Sequence, residues 1–452
     1  MKKIKTSFFC QSCGHASSKW LGKCPSCGGW NQFVEEEIRE ASEGPSSELH
    51  LHEAPQPIAD IVADEKERLA TGLAEMDRVL GGGVVPGSAV LVGGDPGIGK
   101  STLLLQVCQR IAERGLKVLY CSGEESARQI KLRGKRIGAD SDQLLVFVEI
   151  ALENILAEIR RIEPHVVVID SIQTVYASNL SSAPGSVGQV REASERLILH
   201  AKKTGIPVFL VGHVTKDGSL AGPKVLEHMV DTVLYFEGDS GHAYRIVRGI
   251  KNRFGPTNEI GVFEMRDDGL KEVANPSALF LSERPEKAAG SVVVPSLEGT
   301  RPILVEIQSL VIPTSFGMPR RTTIGVDHNR VSLLVAVMDK VCGLHLSGHD
   351  IFINVAGGVK VDEPAVDLGL VASMASSFLD RPVAPGTVVF GEVGLTGEVR
   401  GISQMETRLK EAARMGFTRC ILPAGTPAGR RPESGIEMFG IRSLRDLLDP
   451  LF

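Results

Sequence analysis

The chain has 452 residues, of which 42% are hydrophobic and 23% are charged, and its formal net charge is −5. This balance is typical of a soluble globular protein of about three domains, and it excludes a uniformly basic nucleic-acid-binding protein, although not a locally basic groove. No stretch approaches the ~18 consecutive apolar residues of a membrane span, and the basic N-terminus lacks the apolar core of a signal peptide. We therefore predict a cytoplasmic protein without a membrane partner.

Four of the eight cysteines lie near the N-terminus as two CxxC pairs, Cys10 with Cys13 and Cys24 with Cys27. Each pair can form a tight turn that aims two thiolates at one tetrahedral ion, so we predict a four-cysteine zinc ribbon over residues 1–34. A segment this short cannot bury a core alone, and bound Zn²⁺ would supply its folding free energy. A dithiol redox site is the alternative, but it needs one CxxC in a βαβ context that this segment lacks.

The ribbon also carries two tryptophans, Trp20 and Trp30, with Lys19 and Lys23 beside them. Their rings are expected to wrap the small metal core, and contact with nucleic acid or a partner protein is the alternative. Residues 35–65 follow as a predicted mobile acidic linker, because acidic residues outnumber basic ones and no hydrophobic periodicity persists. The ribbon is therefore expected to move relative to the next domain.

The next predicted domain, residues 66–275, centres on a glycine-rich segment between an apolar strand and a helix. From Gly94 it matches G-x-x-x-x-G-K-[ST], in which consecutive backbone N–H groups converge on a phosphate at a helix N-terminus. Lys100 would reach the β- and γ-phosphates, and Ser101 would ligate Mg²⁺. The segment predicts a site for a nucleoside triphosphate such as ATP. Its predicted binding residues are Gly94, Asp95, Pro96, Gly97, Ile98, Gly99, Lys100, Ser101 and Thr102.

Polar residues follow three further predicted strands, at the sheet edge where ligands bind in open α/β folds. Glu124 and Glu125 follow the first, and one is expected to activate the attacking water while the other caps the next helix through Ser126. The sequence does not separate the two roles. Asp170 ends the second strand and is the expected anchor for Mg²⁺. His213 ends the third and is either a γ-phosphate sensor or a structural histidine.

Lys251 and Arg253 lie in the sequence KNRFG, just after an alternating run that predicts a strand over residues 243–248. Side chains at positions i and i+2 of an extended chain point the same way, so both cations could reach one anion. In one interpretation they contact the γ-phosphate of ATP bound to a neighbouring subunit. Contact with DNA and surface ion pairing are the alternatives.

Residues 71–73 and 81–83, together with the glycine-rich segment, residues 122–125 and residues 170–171, resemble the RecA-type ATPase core. With the ribbon ahead and KNRFG behind, the whole chain resembles the bacterial RadA (also called Sms) family of DNA-repair ATPases. The resemblance implies ATP hydrolysis that depends on DNA and drives branch migration of recombination intermediates, with single-stranded and branched DNA and RecA as partners.

Two loops are implied to follow the DNA backbone, because loops at the same places do so in RecA-type cores. These are residues 177–186 and residues 215–224, the second with Lys216 and Lys224. Their glycines allow close approach, and the lack of aromatic residues predicts weak base preference. Ordinary surface loops are the alternative.

The C-terminal part, residues 276–452, resembles the proteolytic domain of Lon proteases over residues 362–369 and 391–400. Lon has a serine nucleophile and a lysine base, whereas this chain has Ala365 and Glu406 at the aligned positions. Neither side chain can perform that chemistry, so peptidase activity is not expected. Lon relatives form hexameric rings, which implies a homo-oligomer here. Basic residues that could contact DNA are Arg320, Arg321, Lys340, Lys360, Arg400, Arg408 and Lys410.

The sequence thus predicts an α/β protein with a RecA-like P-loop core, an N-terminal zinc ribbon and a C-terminal Lon-like domain. The first functional hypothesis is a ring-forming DNA motor whose ATP hydrolysis is stimulated by single-stranded DNA. The second is a KaiC-like or adaptor ATP switch without motor activity, whose slow hydrolysis ignores DNA. A third, an ATP-dependent protease, has no support at the aligned positions 365 and 406.

Overall fold

The computed structural model describes residues 5–10, 15–26, 28–38, 57, 68–212, 225–238, 244–285, 287–314, 317–424 and 435–452. The chain divides into two compact units, Met1–Glu272 and Val273–Phe452. Among the described residues, no helix combines the length and the apolar character that a membrane crossing needs.

The N-terminal segment forms a small antiparallel sheet of three strands in the order β2-β1-β3. The strands are β1 (Lys5–Cys10), β2 (Ala16–Ser17) and β3 (Phe33–Ile38). The predicted linker starts at residue 35, whereas the structure places residues 35–38 in β3. Their charge suggested solvated chain, but every residue of β3 pairs with β1, from Phe33 opposite Cys10 to Ile38 opposite Lys5. Backbone pairing of this kind does not require apolar side chains.

The rest of the first unit is an α/β domain whose helices alternate with strands. Its first part contains α1 (Ala74–Leu80), β4 (Ala89–Gly94), α2 (Lys100–Ala112), β5 (Val118–Ser122), α3 (Ala127–Ile137), β6 (Leu144–Val148), α4 (Leu152–Ile162) and β7 (Val166–Asp170). Its second part contains α5 (Val187–Thr204), β8 (Val208–Val211), α6 (Val225–Met229), β9 (Thr232–Glu237), β10 (Tyr244–Asn252), β11 (Ile260–Arg266) and β12 (Gly269–Glu272).

These strands form one nine-stranded sheet in the order β12-β11-β10-β9-β4-β8-β7-β5-β6. Strands β4 to β9 are parallel to one another, and β10 to β12 extend the sheet from β9 in antiparallel fashion. Every residue of β4, β5, β7 and β8 is buried, as expected for parallel strands covered on both faces. The carboxyl ends of these four strands therefore share one edge, which the sequence predicted for the site.

Alternate side chains of the central strands serve two separate cores. Val90 and Val92 of β4 face the cluster that includes α2, while Ala89 and Leu91 face the cluster that includes α4 and α5. Fully burying one Val or Leu side chain contributes about 1.5–3 kcal/mol, so both helix layers hold the sheet firmly. The edge that carries the candidate site is thus built on a rigid support.

Strand β10 is longer than the sequence predicted, since it continues through Asn252 and includes Lys251. Its pairing with β9 shifts register between Gly249 and Lys251 and then continues. The run of alternating hydrophobicity ends at the bulge, which explains why the pattern of side chains did not reveal the last residues of the strand.

The second unit is also α/β, and the predicted fold class is confirmed. Its strands are β13 (Ser291–Glu298), β14 (Arg301–Pro313), β15 (Arg321–Ile324), β16 (His349–Val355), β17 (Thr387–Val389), β18 (Glu392–Val393), β19 (Val399–Arg400), β20 (Arg419–Pro423) and β21 (Glu437–Ile441). Its helices are α7 (Pro276–Phe280), α8 (His328–Val341), α9 (Asp367–Phe378), α10 (Met405–Arg414) and α11 (Leu448–Leu451). Seven strands form a mixed sheet in the order β15-β16-β14-β13-β17-β20-β21, against which the buried helix α9 packs.

Candidate functional site

The glycine-rich segment forms the turn between the end of β4 at Gly94 and the start of α2 at Lys100. Gly94 has φ +148°, and a Cβ atom there would lie 2.7 Å from the Cβ of Phe236. Gly99 has φ +120°, and its Cβ would lie 2.9 Å from the terminal methyl of Met265. At Gly94 both the backbone conformation and the space require glycine, and at Gly99 the positive φ favours it strongly. The backbone is therefore free to approach an anion closely at the N-terminus of α2.

Lys100 is the buried cation of this loop, with 4% of its surface exposed. Its Nζ donates hydrogen bonds to the carbonyl of Gly94 at 2.7 Å and to that of Asp95 at 2.9 Å. Burial lowers the pKa of the Lys100 ammonium, while the negative charges of Asp170, Asp95 and Glu124 oppose that shift. The loop thus holds a desolvated ammonium close to three carboxylates.

The other predicted loop residues differ in exposure. Residues 95–97 form its exposed crest, and Ile98 is buried in the core below it. Ser101 and Thr102 belong to the first turn of α2 and are half-buried. The Ser101 hydroxyl therefore belongs to the same helix end as the loop, where its predicted metal contact would have to be made.

Asp170 lies at the end of β7, beside the end of β5, with Ser122 opposite it in the parallel register. The hydroxyl of Tyr120, which is fully buried in β5, donates a hydrogen bond to one carboxylate oxygen of Asp170. Burial and the neighbouring Asp170 carboxylate raise the pKa of Tyr120 well above its ordinary value, so the phenol remains a donor. Tyr120 was not predicted as a site residue, although a tyrosine within an apolar strand needs a buried partner.

Glu124 and Glu125 point to different partners. Glu124 accepts a hydrogen bond from the Ser171 hydroxyl and acts electrostatically on Lys100. Glu125 forms an ion pair with Arg133 of α3. The structure therefore brings Glu124, and not Glu125, to the carboxylate and ammonium groups at the strand ends.

The start of α3 needs neither carboxylate. Ser126 accepts a hydrogen bond from the Gln129 N–H, and the Gln129 side chain accepts one from the Ser126 N–H. This capping box satisfies the helix end by itself. The expectation that one of the two glutamates caps this helix is therefore wrong, and Glu125 instead forms an ion pair with Arg133 within α3.

Lys251 and Arg253 lie close to one another and to the C-terminal end of α6. Lys251 Nζ donates to the carbonyls of Glu227 and Val230, both at 2.7 Å, and Arg253 pairs with Asp231 at 3.1 Å. Burial lowers the pKa of Lys251, and the positive charge of Arg253 lowers it further. Within the single chain, Arg253 therefore forms an ion pair, which is one of the three roles that the sequence left open for it.

These cations lie at the opposite edge of the sheet from the chain's own phosphate loop. Asp231, the partner of Arg253, accepts a hydrogen bond from the N–H of Ala89 at 3.1 Å, at the start of β4. Gly94 ends the same strand, about 17 Å further along at ~3.3 Å per residue. Lys251 and Arg253 therefore do not reach a nucleotide bound at their own chain's loop.

One of the two candidate DNA loops lies within the described residues. The side chain of Gln189, in α5, accepts a hydrogen bond from the Ala177 N–H and donates to the carbonyls of Ala177, Leu180 and Ser182. Residues 177–182 are therefore held to the helix by one buried amide. His213, Lys216 and Lys224 lie outside the described residues.

The candidate zinc ligands that the structure describes are Cys10 and Cys24, both buried and packed with Phe33. The backbone turns back after Cys24, where its carbonyl accepts from the Gly28 N–H and Gly28 has φ +75°. This turn is of the kind that a thiolate pair needs at a tetrahedral ion. Cys13 and Cys27, which would complete the set, lie outside the described residues.

The expectation that the tryptophan rings wrap the metal core is wrong, since Trp20 is 52% and Trp30 is 66% exposed. Trp20 donates from Nε1 to the Phe33 carbonyl at 3.2 Å, and the Lys23 ammonium lies 5.5 Å from the Trp30 ring centre. Phe33 fills the core position instead. The two indole rings are left as an exposed aromatic surface.

In the second unit, Ala365 occupies a buried 3₁₀ turn, Pro364–Val366, ahead of α9. Carboxylates stand on both sides of it, and each binds an arginine. Glu363 forms two hydrogen bonds with Arg408, at 2.6 and 2.7 Å, and Asp367 forms an ion pair with Arg330. The groups beside position 365 are thus engaged in ion pairs.

The prediction that Arg408 belongs to a basic DNA-contacting surface is wrong, because its side chain is 1% exposed. It points inward from α10 to Glu363 and to the carbonyl of Pro295. Lys410 and Glu406, on the same helix, are exposed. Sequence alone did not reveal which face of α10 is buried, because a guanidinium is an uncommon core group.

Comparisons with protein families match three parts of the chain. Residues 55–219 match the AAA domain, residues 8–35 the rubredoxin metal binding domain, and residues 336–428 the Lon protease (S16) C-terminal proteolytic domain. An ATPase domain of this type implies ATP with Mg²⁺, and the metal binding domain suggests Zn²⁺. The glycine geometry, the buried Lys100 and the Tyr120–Asp170 pair fit the first of these ligand sets.

Similar proteins cover the full length of the chain. DNA repair protein RadA of Bacillus subtilis is 56% identical over 452 residues, with 99% of each chain covered. DNA repair protein RadA of Listeria monocytogenes is 52% identical, with 99% of this chain and 98% of the relative covered. A solved KaiC-like protein of Pyrococcus horikoshii is 21% identical and covers 46% of this chain and 98% of its own at a TM-score of 0.38, too low for any conclusion. By its full-length identity to these repair proteins, the chain belongs to the RadA family of DNA repair proteins.

Proposed function

We propose that this protein is a DNA-dependent ATPase of homologous recombination and DNA repair. It processes recombination intermediates by driving branch migration on single-stranded and branched DNA, together with RecA. The observation that carries the ATPase assignment is the convergence of a buried ammonium, Lys100, with the carboxylates of Glu124 and Asp170 at one sheet edge. The DNA and RecA assignments rest on membership of the RadA family.

The residues of this edge would divide the work of phosphoryl transfer to water. Lys100 and the loop N–H groups would bind the β- and γ-phosphates and neutralise the charge that develops on them. Ser101 and Asp170 would hold Mg²⁺, which supplies a further positive charge to the phosphates. Glu124 would orient the attacking water and accept its proton. The Ser171 hydroxyl fixes that carboxylate, and Tyr120 fixes Asp170.

The site would be completed by a neighbouring subunit. Lys251 and Arg253 lie about 17 Å of strand away from their own chain's loop, so contact with ATP requires another copy. The Arg253 side chain is half-exposed and can exchange Asp231 for a phosphate. We therefore propose a homo-oligomer with the ATP site between subunits, in a hexameric ring of the kind that the Lon-like domain implies.

The other modules would serve partners. The four ribbon cysteines would bind one Zn²⁺ and present Trp20 and Trp30 to a partner molecule. Residues 177–186 and 215–224 would line the DNA path, the second with Lys216 and Lys224 as its charged residues. The predicted domain limits at residues 66–275 and 276–452 and the cytoplasmic location stand as parts of this proposal, with the ribbon extended to Ile38 at the end of β3.

Lys100→Ala tests the assignment. ATP hydrolysis by the unaltered protein should rise on addition of single-stranded DNA, and the protein should extend branches on three-stranded intermediates. Lys100→Ala should lower DNA-stimulated turnover by at least about 100-fold, because a charge that stabilises the transition state is lost. The exposed Lys131, on α3, provides a matched control, and Lys131→Ala should keep its activity.

Two outcomes would contradict the proposal. Wild-type turnover by Lys100→Ala would show that ATP is hydrolysed elsewhere. Slow hydrolysis that ignores DNA, without strand movement in the branch-migration assay, would instead fit the ATP switch considered from the sequence.

A further inference from the structure

An arginine distant in the sequence contacts the phosphate loop from outside the motif. Arg245 is the second residue of β10, and its side chain is buried. Its Nε donates a hydrogen bond to the carbonyl of Ile98 at 3.2 Å. An Nη atom donates to the carbonyl of Tyr244 at 2.8 Å, which orients the guanidinium plane. Arg245 thus reaches the loop two residues before Lys100.

The contact falls on the peptide that joins Ile98 to a glycine of the loop. Ile98 stands between Gly97 and Gly99, which both have positive φ, at +77° and +120°. Glycine adopts either sign of φ easily, so local chain chemistry alone does not fix the Ile98–Gly99 peptide plane. In a trans peptide the carbonyl and the N–H point in opposite directions. A donor that holds the Ile98 carbonyl toward β10 therefore turns the Gly99 N–H away from β10.

The donor itself stands on a rigid support. Ile246, the next residue of β10, pairs with Glu237 of β9, and the neighbouring Phe236 pairs with Gly94 at the end of β4. Two strands of the sheet thus connect Arg245 to the start of the loop. A group fixed in this way can set the direction of a peptide without moving itself.

We propose that Arg245 is a positioning residue for the ATP site. By holding the Ile98 carbonyl toward β10, it aims the Gly99 N–H at the bound phosphate, where loop N–H groups must converge. The inference deepens the proposed function and rests on it, since it concerns the same phosphate loop. It assigns to β10 a role in its own chain's site, in addition to the role proposed for Lys251.

Two variants separate the directed hydrogen bond from the charge. In Arg245→Gln the side-chain amide nitrogen takes the position of Nε, so a donor to Ile98 remains and the charge is lost. In Arg245→Met the chain length is kept and the donor is lost. Affinity for a fluorescent ATP analogue, and KM and kcat for ATP, would be measured with Mg²⁺, together with thermal unfolding of the full-length protein.

The methionine variant should bind nucleotide about tenfold more weakly, with KM raised more than kcat is lowered, as expected on losing one hydrogen bond to a charged group. The glutamine variant should stay within about threefold of the unaltered protein, because the carbonyl keeps its donor. The midpoint temperature of thermal unfolding should be the same in the two variants.

Equal losses in the two variants would overturn the proposal, since they would assign the effect to charge or packing. Normal affinity in Arg245→Met would overturn it as well. Lys100→Ala distinguishes this failure from failure of the proposed function. If Lys100→Ala abolishes nucleotide binding and Arg245→Met does not weaken it, the ATP site stands and the role of Arg245 falls. If Lys100→Ala binds normally, the site assignment itself falls.

Discussion

Two adjacent carboxylates at the end of β5 show how single residues acquire different environments. Both glutamates lie in a bend that follows Ser122, the last residue of β5. Glu124 meets the Ser171 hydroxyl and the field of Lys100, whereas Glu125 meets Arg133. A general base must lie where the water and the phosphate meet, so the geometry favours Glu124 for that role.

Replacing each glutamate by glutamine tests this choice. Glu124→Gln should lower kcat for ATP hydrolysis by about 10²- to 10⁴-fold, because the amide does not accept the proton of the attacking water. Binding of an ATP analogue should persist. Glu125→Gln, the matched control one residue away, should stay within a few-fold in kcat. A larger loss in Glu125→Gln, measured by steady-state hydrolysis with single-stranded DNA, would reverse the assignment.

At the scale of elements, helix α10 connects the position of Ala365 to strand β13. Arg408, 1% exposed, binds both oxygens of Glu363 and also donates to the carbonyl of Pro295, at 2.6 Å. Removing Arg408 leaves the Glu363 carboxylate, which is 21% exposed, without its charged partner, and such a loss is costlier than the pair is stabilising. The ion pair thus maintains the packing of the Lon-like fold at a position where a peptidase would need free reactive groups.

Arg408→Ala should therefore destabilise this unit by about 3–5 kcal/mol, since Glu363 would lose its buried partner. Amide hydrogen exchange of α10 and β13 in the full-length protein should become faster by about 100-fold or more. Lys410→Ala is the control, because Lys410 is exposed on the same helix. Its effect should stay within about 0.5 kcal/mol, the usual range for surface substitutions. Unchanged exchange in Arg408→Ala would show that the pair does not support the fold.

Strand β10 is an element with two functional ends. Arg245 lies at the end next to the chain's own phosphate loop, and Lys251 lies at the opposite edge of the sheet. The antiparallel pairing with β9 fixes the separation of these ends. One strand thereby carries groups that we assign to two different ATP sites, its own and that of a neighbouring copy.

For the whole molecule, mixed assemblies test whether the neighbouring copy supplies a cation. Arg253→Ala is the informative variant, because Lys251 also binds three backbone carbonyls and its loss would disturb the fold. A chain with Arg253→Ala keeps its loop, and a chain with Lys100→Ala keeps its Arg253. Mixing the two should restore DNA-stimulated hydrolysis above the level of either variant alone, since an intact loop then meets an intact arginine.

Absence of such rescue would contradict a cation supplied in trans. If Arg253 contacts DNA instead, Arg253→Ala should bind DNA more weakly, with a salt dependence reduced by about one phosphate contact. The two outcomes are read by different assays, hydrolysis in mixtures and DNA binding at several salt concentrations, so either can be obtained without the other.

Contiguous features of the sequence predicted much of the candidate site. The phosphate loop, the strand that ends at Asp170 and the glutamates after β5 are each specified by a few neighbouring residues. Their position follows because parallel strands align their carboxyl ends. Strand β3, the end of β10 and the buried face of α10 were not predicted. Each depends on backbone pairing or on a buried charge that hydrophobic pattern does not express.

By itself, the sequence determined the family, the order of modules and the backbone chemistry of the loop, because a glycine-rich turn between strand and helix works through its own N–H groups. Tertiary structure alone decided which partners adjust that chemistry. Tyr120 meets Asp170 through the register of β5 and β7, and Arg245 meets Ile98 across 147 residues through β9 and β10. Such contacts depend on strand order and register, which follow from the packing of the whole sheet and not from any local stretch of chain.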